Sequence, residues 1–235
     1  YIIILLLVSV LFSQSENCIV STSQPIDSRS IYSIGDTLSV EDQSTSYDVC
    51  NGSGDYETGD SFSFADLNGA QNSGDYKITL ISMNATWWPA CYDYISLMDE
   101  IIEFINENEH LKFIVSLDYA EVEPSYYTCQ EWGDLYYELG EYGNDPLILN
   151  DDPDQLIWNM FAGTTYSAYV LIDHNMVIRY KFDMPNLYDF QYNYIPTLLD
   201  DLYGCTDVNA CNYDDMAGID DGTCEYGYDC VNCSE

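Results

Sequence analysis

Basic side chains are scarce in this chain. Its 235 residues hold five Lys and Arg against 41 Asp and Glu, a formal net charge of −36 at pH 7. A surface of that sign repels phosphate backbones and anionic headgroups, which excludes nucleic acid and acidic membrane surfaces as partners. The same field attracts divalent cations. A highly solvated surface suited to salty surroundings is the simpler reading, and a dedicated cation-binding role is the alternative. Histidine is nearly absent: His110 and His174 have no Cys2His2 spacing around them, which argues against zinc, and both read as surface residues. No serine-elbow motif occurs, so a nucleophilic hydrolase is unsupported. No apolar run reaches the roughly 20 residues of a membrane span.

The apolar run at residues 1–12 gives way to Ser13-Gln14-Ser15. It reads as the hydrophobic part of a secretory signal peptide covering residues 1–15, with an uncleaved anchor as the alternative. Tyr1 stands where a Met and a basic leading segment are expected, so the true start is expected upstream. Ser15-Glu16-Asn17-Cys18 does not resemble a lipoprotein box. The expectation is an exported chain with no stable membrane insertion after cleavage.

Cysteine, by contrast, is plentiful. Nine cysteines in an exported chain imply disulfides, and the odd count leaves at least one thiol unpaired or paired outside the chain. Cys18 and Cys50 bracket the N-terminal segment and are a candidate pair. Cys205, Cys211, Cys224, Cys230 and Cys233 crowd the C-terminal end. Spacing alone gives no connectivity.

Apolar residues make up 47% of the chain, enough for a packed core. Residues 16–59 are polar, weakly periodic and read as an irregular lead-in with a few short strands. Residues 60–203 carry alternating strand and helix patterns. Lys77 to Ala85 reads as a buried strand. Tyr92 to Asn108 reads as an amphipathic helix, with Ile95, Met98, Ile102 and Ile105 on one face. Leu111 to Asp118 is a second strand, and a strand–helix–strand run of this spacing predicts a parallel pair. Helices follow at Thr128–Leu139 and Gln155–Phe161, the second started by an acidic stretch. A hairpin spans Tyr166–Ile172 and Met176–Phe182, and a closing helix covers Tyr194–Tyr203.

One short stretch carries most of the chemistry. Ala85-Thr86-Trp87-Trp88-Pro89-Ala90-Cys91 ends the first core strand and hands Cys91 to the start of a helix. Unpaired N–H groups and partial positive charge at a helix N-terminus favour a thiolate. The stretch resembles the active-site segment of secreted thioredoxin-like proteins of the TlpA/ResA kind, A-T-W-C-P-P-C, with matches at Ala85, Thr86, Trp87, Pro89 and Cys91. The resemblance implies an α/β thioredoxin-like fold, a central mixed sheet flanked by helices, over residues 60–203. It also implies thiol–disulfide exchange with protein thiols or disulfides, with no cofactor required.

Trp88 occupies the position of the family's attacking cysteine, and Cys91 that of the resolving one. Three readings of Cys91 stay open. It is a buried structural thiol in a degenerate site; or a one-cysteine redox or peroxidase centre resolved by Cys129 or an outside thiol; or Trp88 is a recent one-base replacement or a sequence error. A Cys91–Cys129 disulfide is a further expectation, since Cys129 sits at a helix start. The family's cis-proline position, in P-T-T-F-L-I-D, aligns with Ser167 ahead of Ala168-Tyr169-Val170-Leu171-Ile172-Asp173. A non-proline cis bond costs about 3 kcal/mol, so Ser167 is expected trans with an altered binding backbone. The candidate site is thus Cys91 and Cys129 for catalysis, with Trp87, Trp88, Pro89 and Ser167 for substrate. A non-catalytic binding or surface-attachment protein on the same scaffold is the alternative.

Residues 204–235 differ in character and form a small cysteine-rich irregular module. Gly204-Cys205-Thr206-Asp207 through Tyr213-Asp214-Asp215, then Asp220-Asp221-Gly222-Thr223-Cys224, resemble a short repeat appended to exported proteins of marine bacteria. Asp207, Asp214, Asp215, Asp220 and Asp221 supply oxygen donors suited to calcium, though not with EF-hand spacing. A solvated, disulfide-stapled mini-module without metal is the alternative.

Overall fold

All eight residues of β3 (Ile78–Ala85) are buried, and the strand sits near the middle of a seven-stranded sheet. Its neighbours explain why it reads as a continuous apolar run rather than an alternating one. Both faces of the sheet are covered, so neither set of side chains meets water. In the computed structural model, residues 31–118, 127–151, 153–162 and 166–227 are described. The signal-peptide segment, Cys18, Cys230 and Cys233 lie outside them.

The chain runs α1 (Val40–Gln43), β1 (Tyr47–Asn51), β2 (Ser61–Phe62), β3, α2 (Pro89–Asn106), β4 (Leu111–Asp118), α3 (Cys129–Leu139), β5 (Leu147–Asn150), α4 (Leu156–Phe161), β6 (Ala168–Ile172), β7 (Ile178–Asp183), α5 (Ile195–Leu202), β8 (Tyr203–Gly204) and β9 (Ile219–Asp220). The main sheet has the order β2-β1-β5-β4-β3-β6-β7. β3 pairs parallel with β4 and antiparallel with β6, and β6 and β7 form the expected antiparallel hairpin. Alternate strand residues feed two cores. Ile78, Leu80, Phe113 and Leu171 pack under α2, α3 and α5, whereas Ile81, Met83, Ile114 and Val170 pack under α4 and the lead-in.

Two features were not anticipated. Leu147–Asn150 forms β5, parallel to β4, in a stretch the periodicity left unassigned. Four residues are too few to show a period. Segment 47–51, placed in the lead-in, pairs antiparallel with β5 and so extends the central sheet. The Cys50–Cys129 disulfide fixes that strand to the first turn of α3. This overturns both expected pairings, Cys18 with Cys50 and Cys91 with Cys129. The reason is topological: β1 inserts beside β5 under α3, within reach of Cys129, and Cys91 is left as a free buried thiol.

The C-terminal module packs against the hairpin turn. His174 is 1% exposed, not a surface residue as expected, because residues 214–218 fold over it. Its Nε2 lies 2.8 Å from the Met216 carbonyl oxygen, which also accepts from Asn175 Nδ2 at 2.8 Å. His110 is half-buried beside the Tyr203 ring. A Cys205–Cys224 disulfide staples the module.

Candidate functional site

β3 delivers Trp87 and Trp88 to the surface at the end of the sheet where α2 begins. Trp88 is the N-cap residue of α2 and Pro89 follows at the first helical turn. Proline suits that place, because its fixed φ is helical and the missing N–H would have had no intrahelical partner. Cys91 N donates to Trp88 O at 3.0 Å, so the two positions face each other across one turn. The Trp88 side chain is an indole with no nucleophilic atom. Trp87 and Trp88 are 41% and 39% exposed, while Cys91 is 1% exposed.

Two donors hold the Cys91 sulfur. Ala85 N lies 3.4 Å from Sγ and Ser167 Oγ 3.1 Å from it. Burial pushes the Cys91 thiol up from its ordinary pKa, and the hydrogen bonds from Ser167 and Ala85 pull the other way without winning. A buried, protonated thiol is a poor nucleophile. Cys129 is held in its disulfide with Cys50, so it is not a resolving thiol for Cys91.

Ser167 is fully buried, with φ of +62°. Its N–H donates to Met83 O and its carbonyl accepts from Met184 N. Proline cannot reach that conformation. The loop ahead of β6 is therefore built differently from a cis-proline loop, and its hydroxyl is turned onto the sulfur.

A polar network that the residue pattern did not single out lies beside this sulfur. Asp118 ends β4, is 5% exposed, and is the register partner of Ala85. Its Oδ2 accepts from Tyr166 Oη at 2.5 Å and from Gln155 Nε2 at 2.7 Å. Burial and the Asp118 carboxylate hold the Tyr166 phenol well above its usual pKa, so it stays a donor. The Tyr166 ring stacks on Trp158 with centroids 4.1 Å apart and meets Trp87 edge-on at 4.9 Å. The available signal was the lone carboxylate of β4, standing at the C-terminal end of that strand.

The tail carboxylates do not converge. Asp207 Oδ1 accepts from Asn209 N and its Oδ2 from Tyr226 Oη, while Asp214 Oδ1 accepts from Met216 N. Asp220 Oδ1 accepts from Gly222 N, and Asp221 Oδ1 from Thr223 N and Oγ1. Each closes its own turn, a common use of Asp in short loops. Among the described residues no group of three or more His, Cys, Asp or Glu is placed to hold a metal ion.

No protein-family model matches the chain, and neither does any curated protein. The chain is similar to a secreted disulfide oxidoreductase of Mycobacterium tuberculosis, homologous to E. coli DsbE, at 15% identity and TM-score 0.45 over 65% of this chain and 96% of that one. It is similar to the thioredoxin domain of a thiol-disulfide oxidoreductase from Bacteroides vulgatus at 13% identity and TM-score 0.46, over 71% and 97% of the two chains. An exposed lipoprotein thioredoxin of Streptococcus pneumoniae gives 17% identity and TM-score 0.42 over 60% and 93%. It is the chain's own topology, the β3–α2–β4 unit followed by the β6–β7 hairpin and α5, that makes its fold thioredoxin-like.

Proposed function

We propose that this chain is an exported thioredoxin-fold protein in which the segment that performs dithiol exchange in its relatives has become a recognition surface. The observation that carries the reading is the pairing of an exposed Trp88 with a buried, hydrogen-bonded Cys91 at the two ends of one helical turn. Thiol–disulfide exchange needs an accessible thiolate and a second thiol to resolve the mixed disulfide. The first is replaced by an indole. The second is buried, and the nearby Cys129 is held by Cys50. What faces solvent instead is aromatic: Trp87, Trp88 and Tyr92. Export is supported by the two disulfides, which persist in oxidising compartments, and by the apolar run at residues 1–12. A peroxidase centred on Cys91 finds no support in a buried thiol of raised pKa.

The test is insulin reduction with dithiothreitol as the electron source. The parent chain is expected to leave the rate at the dithiothreitol background. Trp88→Cys restores two thiols across the turn and is expected to raise it. In that variant the introduced thiolate attacks an insulin disulfide, Cys91 resolves the mixed disulfide, and dithiothreitol re-reduces the pair. A parent chain that accelerates insulin reduction, and loses this with Cys91→Ser, overturns the reading.

A further inference from the structure

We propose that the hollow beside Trp87 is a binding site for an alkylated ammonium group. The proposal deepens the recognition reading above by naming the ligand chemistry. The hollow measures about 250 Å³ and is lined by Thr86, Trp87, Pro89, Tyr92, Asp93 and Tyr127. Three of its six walls are aromatic, and they come from three separate segments: the β3–α2 turn, the first turn of α2, and the residue two before α3. Tyr92 and Tyr127 stand nearly parallel, with centroids 6.1 Å apart. Trp87 is held edge-on against the Tyr166 ring. Aromatic side chains around one small space, with a carboxylate among the lining residues, are the chemistry that receives a quaternary or methylated ammonium.

Size and charge narrow the ligand. Pockets for whole drug-sized molecules run to roughly 300–1,000 Å³. This one suits a headgroup or the end of a side chain. None of its lining residues is basic, and Asp93 is exposed at its edge. The chain's formal charge of −36 raises the local concentration of cations and disfavours anions. A neutral apolar ligand would use the rings but not Asp93 or the field, so a charged group is the better fit. The lining overlaps the inactive turn at Trp87 and Pro89, so the same loss of thiol chemistry leaves the rings free to bind.

The experiment titrates the full chain with choline, with its neutral tert-butyl analogue, in which carbon replaces the charged nitrogen, and with a short peptide carrying trimethyllysine. Tryptophan fluorescence and calorimetry report binding. Choline is expected to bind saturably in the millimolar range and the neutral analogue roughly tenfold more weakly. Tyr92→Ala is expected to abolish choline binding, and Asp93→Asn to weaken it several-fold and flatten its salt dependence. Both residues are exposed, so the variants are expected to fold, and thermal melts check this. Tighter binding of the peptide than of choline supports the site with a protein side chain as source; the reverse order supports it with a free headgroup. Equal affinity for the neutral analogue, unchanged binding by Tyr92→Ala, or no saturable signal overturns the proposal. The insulin assay is independent. A redox-inert parent that binds no ammonium loses the cation site alone, whereas an active parent that binds choline loses the exchange-inactive reading alone.

Discussion

Ser167 Oγ lies 3.1 Å from Cys91 Sγ, across 76 residues of sequence. This contact ties the Cys91 sulfur to the loop ahead of β6, while burial keeps the thiol's pKa raised. The Ser167 backbone is left-handed, its N–H is bonded to Met83 O, and its carbonyl to Met184 N. Ser167→Pro would demand a φ near −65° and delete the N–H. It is expected to destabilise the chain by about 3 kcal/mol or more, read as a lower midpoint in denaturant. An unchanged midpoint would mean that the loop rearranges freely, and that the Ser167–Cys91 contact is incidental.

The strand–helix–strand unit around Cys91 was legible because its signals are long and mutually consistent. β3 and β4 are eight-residue strands rich in Ile, Leu, Val, Met and Phe, and α2 shows a clean helical stripe between them. Trp88 and Cys91 were placed by the motif resemblance, whereas the helix, read from Tyr92, starts three residues earlier at Pro89, where the proline fits the first turn. What stayed hidden depends on distant segments meeting. Nothing local to Cys50 or Cys129 announces their bond, which exists because β1 slots beside β5. The burial of His174 is of the same kind, since the residues that cover it arrive some forty positions later. Tyr166 and Asp118 likewise became a site only when β4 and the loop before β6 ended side by side.

The Cys50–Cys129 bond closes a loop with a sequence separation of 79. The chain-entropy estimate for a loop of that length is about 4.5 kcal/mol. Replacing both cysteines by Ser is expected to lower unfolding free energy by roughly that amount or less, since β1 stays hydrogen-bonded to β5. Chemical denaturation of the double variant measures it. Because Cys91 takes no part in this bond, its reactivity in the native state is expected to be unchanged. A newly exposed Cys91 in the double variant would tie the disulfide to the site.

Cys91, Tyr136 and Tyr169 are buried and all have pKa values raised chiefly by that burial. A raised value means that the folded state holds the proton more tightly than the unfolded chain does. The stabilisation is complete below the unfolded values, near 9.0 for the thiol and 10.0 for the phenols, and is lost as pH climbs through the folded ones. Stability is therefore expected to fall above about pH 9. Tyrosinate absorbance from the buried set should appear together with loss of far-ultraviolet circular dichroism. Cys91 should stay inert to thiol reagents at neutral pH until the chain unfolds. Full native-state ionisation of these groups with the fold intact would contradict the burial argument.

Charge balance gives the last expectation. Ion pairs of Lys and Arg among the described residues include Lys77–Asp75, Arg179–Asp173 and Arg179–Asp201, and few of the 41 acidic groups can be neutralised by five basic ones. Like charges on one surface repel over a Debye length of about 10 Å at 0.1 M salt, which shrinks to about 3 Å at 1 M. Compact folding brings the carboxylates closer than the unfolded chain does, so screening favours the folded state. The thermal midpoint is expected to rise on going from low to molar sodium chloride. Asp173 has no exposed side-chain surface, so its pair with Arg179 is screened least and should survive the change. Arg179→Gln should then leave a buried carboxylate without its cation and destabilise the chain by about 3–5 kcal/mol at either salt level. A midpoint that falls with salt would show that the few ion pairs, rather than the many unpaired acids, dominate the electrostatics of this fold.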